Sequence, residues 1–140
     1  MIYFLDTSAL VKAYVRERGT EEVRKLYRRP LAISMLSLVE VRSGLRRRER
    51  EGALSHAHAE AVLAAIKVDL AEMWAVEARK GVLESAADLL DRHPLRAYDA
   101  VQLASAMAIQ RRAKAVTFVC ADAALIQAAS AEGMRALAVG

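Results

Sequence analysis

The chain has 140 residues, 55% of them hydrophobic, and a formal net charge of +4. One domain over 1–140 with a substantial core is the expectation from that length. The single cysteine, Cys120, excludes an internal disulfide framework and a multi-cysteine zinc site, and charges interrupt every apolar stretch before it could span a membrane.

Residues 2–5 are too few for a signal-peptide core and lack a basic flank, so a soluble protein of a reducing cytoplasm is expected. Sixteen of the 21 cations are arginine, a side chain whose planar fork suits phosphate. The same bias also arises from composition alone.

The pattern predicts a strand over 2–6, apolar throughout and thus suited to burial on both faces. A helix over 8–18 follows and ends near Gly19. Thr20, Glu21 and Glu22 open a second helix that Pro30 stops. Residues 31–34 read as a strand, and a third helix runs from Ser37 to the charged tract 46–51 before Gly52. A helix over 54–66, a weak strand over 67–70 and a long helix over 74–91 come next, the last stopped at His93 and Pro94. A helix over 96–112, a strand over 115–119, a helix over 122–131 with Gly133 as its cap, and a strand over 135–139 complete the chain. This alternation predicts an α/β layer fold with a mostly parallel sheet. Such sheets bind ligands beyond the carboxyl ends of their strands, where strand order reverses.

Four acids fall at the ends of these elements: Asp6, Glu40, Asp99 and Asp122. Each also has a structural reading. Asp6 and Asp122 suit helix N-caps, Ser37 and Glu40 fit the spacing of a capping box, and Asp99 complements the dipole of a first helical turn. Gathered in one pocket, however, four carboxylates repel one another, and such a site holds a proton or binds a hard divalent cation. His56 and His58, two apart on a helix, cannot chelate one ion together. They are expected at the surface, as is His93. The tract holding Arg46, Arg47, Arg48 and Arg50 reads either as a phosphate contact or as a solvated helix end. Trp74 reads as a core or interface anchor, and Cys120 as a small buried residue. The chain lacks Gly-x-Gly-x-x-Gly after its first strand, a phosphate-binding Gly-Lys-Ser/Thr loop and a hydrolase serine elbow.

Four segments, in this order, resemble the PIN-domain family, and within it the VapC-type toxins of bacterial toxin–antitoxin pairs. They are Phe4-Leu5-Asp6-Thr7-Ser8-Ala9-Leu10-Val11-Lys12, Ser37-Leu38-Val39-Glu40-Val41, the run from Leu95 through Tyr98-Asp99-Ala100 to Ala104, and the run from Phe118 through Asp122 to Leu125. The resemblance implies a three-layer α/β/α PIN-like fold on a mostly parallel five-stranded sheet. It further implies an endoribonuclease dependent on Mg²⁺ or Mn²⁺, a homodimer, and inhibition by a small antitoxin. Carried over residue by residue, it places Asp6, Glu40, Asp99 and Asp122 in the catalytic metal site, with Thr7 or Ser8 as the hydroxyl beside the first acid. In this reading Asp6 and Asp99 contact the metal directly or through water, Asp122 completes the site, and Glu40 orients or deprotonates the attacking water. Cys120 departs from the Ser or Thr often found there. A catalytically silent PIN-like module that binds RNA or a protein is the alternative.

Overall fold

The computed structural model describes residues 1–112 and 115–140. The described residues contain five strands and seven helices in the order β1 Ile2–Leu5, α1 Thr7–Lys12, α2 Thr20–Leu26, β2 Leu31–Ser34, α3 Leu36–Arg50, α4 His56–Leu70, β3 Trp74–Val76, α5 Lys80–Arg92, α6 Ala97–Gln110, β4 Val116–Cys120, α7 Ala123–Ala131 and β5 Arg135–Ala138. All strand pairs are parallel and the order is β3-β2-β1-β4-β5. The chain winds outward from β1 in one direction, then restarts from β4 in the other. The reversal therefore lies between β1 and β4.

Period-two alternation sorts the central strands onto two cores. Phe4 and Phe118 face one side, stacked with ring centroids 5.8 Å apart, and join Leu89, Leu103 and Leu125 from α5, α6 and α7. Leu5 and Val119 face the other, with Leu10, Val41, Leu45 and Ile66 from α1, α3 and α4. Helices thus cover both faces, giving the expected three-layer α/β/α sandwich. The sheet is wholly parallel, and β2 and β4 are buried at every residue, which explains their mainly apolar runs, with Ser34 and Thr117 as the polar exceptions. Among the described residues, no helix is long and apolar enough to cross a membrane.

Three expectations fail locally. Residues 67–70 are not a strand but the last turn of α4, where Ile66 packs in the core and Asp69 accepts a hydrogen bond from the Tyr14 hydroxyl at 2.7 Å. Residues 74–76, expected as helix, form the edge strand β3, and α5 begins only at Lys80. Helix α1 stops at Lys12 rather than at Arg18. The Lys12 ammonium reaches back to the Arg18 carbonyl at 2.8 Å, and Gly19, at φ 95°, turns the chain into α2.

Candidate active site

The strand reversal places Asp6. Its backbone N–H donates to the Val119 carbonyl at 3.1 Å, so the chain leaves β1 beside the end of β4. Asp6 is the N-cap of α1: one carboxyl oxygen, Oδ1, accepts from the Ala9 N–H at 2.9 Å and from the Ser8 hydroxyl at 2.7 Å. Ser8 in turn accepts from the Ala121 N–H at 3.2 Å, which ties the β1 and β4 ends together. Capping occupies Oδ1 alone, so the second oxygen has no protein partner among the described residues. Asp6 is only 4% exposed. Its carboxyl is raised from 3.8 to about 7, chiefly by burial and to a lesser extent by the charges of Asp99 and Glu40, against the pull of the Ala9 and Ser8 donors.

Glu40 and its neighbours depart from the capping-box expectation. Helix α3 opens one residue before Ser37, with Met35 as its flanking residue and no side-chain cap. The buried Ser37 hydroxyl lies 2.9 Å from that of Thr7, and Thr7 donates to Glu40 Oε1 at 2.8 Å. The carboxylate is therefore turned toward α1 rather than back to its own helix start. Asp99, half-buried in the first turn of α6, has its carboxyl raised by desolvation. Arg96, with Nε at 3.7 Å, opposes that rise, while Asp122 and Glu40 add to it. Asp122 caps α7, accepting from the Leu125 N–H at 3.0 Å.

Asp6, Thr7, Glu40 and Asp99 line one open cavity of about 440 Å³. Asp122 is absent from its wall yet close enough to act electrostatically on Asp99. Among the described residues, no three His, Cys, Asp or Glu side chains converge to enclose an ion by themselves. The donor set is nevertheless all oxygen, and a buried carboxyl beside two others is relieved by positive charge. That chemistry fits a hard cation such as Mg²⁺, which takes one or two carboxylates and keeps several waters.

Two site residues were not anticipated. Gln102, 2% exposed and three residues after Asp99, shares the two N–H groups of its amide Nε2 among Glu40 Oε1 at 2.8 Å, Thr7 Oγ1 at 3.0 Å and Ser37 Oγ at 3.1 Å. Its carbonyl, Oε1, is the one buried polar side-chain atom without a hydrogen-bond partner among the described residues, an omission that generally costs about 1–3 kcal/mol. Ser37 is the other. A long polar side chain between Val101 and Leu103, three residues after Asp99 on α6, is the available signal for Gln102.

The basic tract divides by function of position. Arg46 is held by Glu49 at 2.8 Å and Glu60 at 2.9 Å, whereas Arg47 and Arg48 line the cavity, joined by Lys12 and Arg96. His56 and His58 are exposed as expected. His93 is not: it is half-buried and bonded to Glu132 at 2.6 Å. Trp74 lies 65% exposed on the edge strand. Cys120 is buried, and desolvation pushes its thiol up to about 12, so it is no nucleophile.

Several solved structures share this fold at low identity. VapBC2 from Rickettsia felis, bound to a DNA fragment from its promoter, is 16% identical with a TM-score of 0.68, over 99% of this chain and 98% of that one. DNA-bound VapBC from Salmonella typhimurium is 15% identical at TM-score 0.68, with coverages of 99% and 98%. VapC20 from Mycobacterium tuberculosis, described as a sarcin-ricin loop cleaving toxin, is 22% identical at TM-score 0.66, with coverages of 94% and 95%. No curated protein sequence matches the chain significantly. The PIN domain family matches residues 3–134, nearly the whole length, and the chain belongs to that family.

Proposed function

We propose that the protein is a metal-dependent endoribonuclease, the cytoplasmic toxin of a toxin–antitoxin pair, acting on RNA as a homodimer restrained by a small antitoxin. The observation that carries the reading is Asp6: a carboxylate almost fully buried at the strand reversal, with Asp99 and Glu40 close enough to disfavour its charge. Left to itself such a group retains a proton near neutrality. A nuclease site exploits the same arrangement by admitting a divalent cation. The PIN family match and the VapBC-type neighbours support the toxin assignment.

In this reading Asp6 and Asp99 would hold Mg²⁺ or Mn²⁺, and Asp122, whose charge acts on Asp99, would add to the negative field there. When bound, the cation would acidify the attacking water and stabilise charge on the phosphate. Glu40, with Oε1 occupied by Thr7 and Gln102, has its second oxygen to orient that water and accept its proton. Arg47, Arg48 and Arg96 at the cavity wall hold the flanking phosphates. Among the described residues no histidine lines the cavity, so attack by the RNA 2′-hydroxyl with imidazole acid–base help has no agent there. Hydrolysis leaving a 5′-phosphate is the resulting chemistry.

Cleavage of a fluorogenic RNA in Mg²⁺ or Mn²⁺, set against the same reaction in EDTA, tests the proposal. Metal-dependent cleavage supports it. RNA binding without cleavage in either metal would replace it with a silent binding module.

A further inference from the structure

We propose that Gln102 is a positioning residue: it fixes the Glu40 carboxylate so that one oxygen is committed to the protein and the other is presented to the cavity. The proposal rests on the nuclease reading above. Four side chains from three parts of the chain meet here, Thr7 from α1, Ser37 and Glu40 from α3, and Gln102 from α6. Glu40 Oε1 receives both the Thr7 hydroxyl and the Gln102 amide, each at 2.8 Å. Glu40 Oε2 has no partner among the described residues, and Glu40 lines the cavity that also holds Asp6 and Asp99.

The orphaned Gln102 carbonyl distinguishes this role from packing. A residue kept only to fill space in α6 would be served by methionine, which has similar length and no polar atom to strand. Glutamine instead leaves Oε1 buried and unpaired, a standing destabilisation. In return it aims an N–H donor at a carboxylate. Turning the amide over would set its carbonyl against the Glu40 carboxylate, acceptor against acceptor, so the observed orientation is the one that chemistry favours. Because Asp99 lies one turn earlier on the same helix, α6 fixes both a carboxylate of the site and the donor that orients its neighbour. Without Gln102, Thr7 alone would restrain Glu40, and the carboxylate could swing away from the water it must meet. Misplacement by about 1 Å is enough to lower a rate by about a hundredfold.

The test compares parent, Gln102→Met and Gln102→Asn in single-turnover RNA cleavage with Mn²⁺, alongside RNA affinity, melting temperature and a crystal structure of each variant. Asparagine keeps the amide but retracts it by one methylene. The expected result is a cleavage rate lowered roughly ten- to hundredfold in both variants, RNA affinity unchanged, a melting temperature for Gln102→Met no lower than the parent's, and a displaced Glu40 carboxylate. An active parent with either folded variant cleaving at the parent rate overturns the positioning role. So does a rate loss with Glu40 undisplaced. If Gln102→Met does not fold, Gln102→Asn decides by the same rate and the same Glu40 position. A parent that does not cleave removes the nuclease reading itself, and the proposal with it.

Discussion

Replacing Asp6 by asparagine should stabilise the metal-free protein, an unusual outcome for a substitution at a buried, doubly hydrogen-bonded position. Burial raises the Asp6 carboxyl from 3.8 to about 7. At about 1.4 kcal/mol per pH unit, this is a folded-state penalty of roughly 4 kcal/mol once pH exceeds 7. The sign follows from proton counting. Between pH 3.8 and about 7 the folded chain keeps the Asp6 proton longer than the unfolded chain does, so stability falls as pH rises through that window and then levels off. Asparagine has no charge to desolvate, and its Oδ1 can still accept from Ala9 and Ser8. A gain of about 2–4 kcal/mol at pH 8 is therefore expected. At about 3 °C per kcal/mol for a chain of this size, the melting temperature should rise by about 6–12 °C. The assay is thermal unfolding of both proteins in EDTA from pH 4 to pH 8. The two curves should coincide near pH 4 and separate steadily toward pH 8. An offset that is constant across pH, or a parent more stable than Asp6→Asn at pH 8, would refute the reasoning.

The mirror image concerns the cation: Mn²⁺ at a hundredfold excess over its dissociation constant should stabilise the parent by about 3 kcal/mol. The gain should be much smaller for Asp6→Asn, and equal shifts in the two proteins would place the ion elsewhere. Removing Arg47 and Arg48 together should weaken RNA binding and reduce the salt slope by about 0.7 for each phosphate that is no longer neutralised. Arg46→Ala, which breaks pairs with Glu49 and Glu60 away from the cavity, should leave the slope intact. Identical slopes for all three proteins would return the tract to a solvated helix end. At Asp122, alanine should cost about 1 kcal/mol through loss of the α7 cap, seen as a lower melting temperature, whereas asparagine preserves the cap. Cleavage lost in Asp122→Asn without loss of stability would assign its charge to the site, and cleavage retained would leave it a cap.

The legible parts of the chain were those where one physical rule acted alone. Strand β2 and strand β4 are legible as short, mainly apolar runs because both faces of each are buried. Helix α6 is legible from its alanine-rich run, bounded by Pro94 before it. The misread segments were short and locally degenerate. Residues 67–70 alternate over four positions, which suits a strand or the two faces of a helix end equally, and only the Tyr14–Asp69 bond and the packing of Ile66 decide it. Residues 74–76 form a short edge strand whose existence depends on pairing with β2, a segment far removed along the chain. That Asp6 and Asp99 come together on one cavity is legible because both sit at element ends beside apolar neighbours. The Glu40 environment was not. Its spacing from Ser37 suggested a local box, but the partners that hold it, Thr7 and Gln102, are 33 and 62 residues distant and no local pattern names them.

The most direct test of the central claim is RNA cleavage by purified parent and Asp6→Asn proteins in Mg²⁺ or Mn²⁺, with the ends of the products identified. The parent should cut RNA to leave 5′-phosphates and lose activity in EDTA, while folded Asp6→Asn should cut at background rate. Cleavage by Asp6→Asn at near the parent rate, or parent cleavage undiminished by EDTA, would contradict the account.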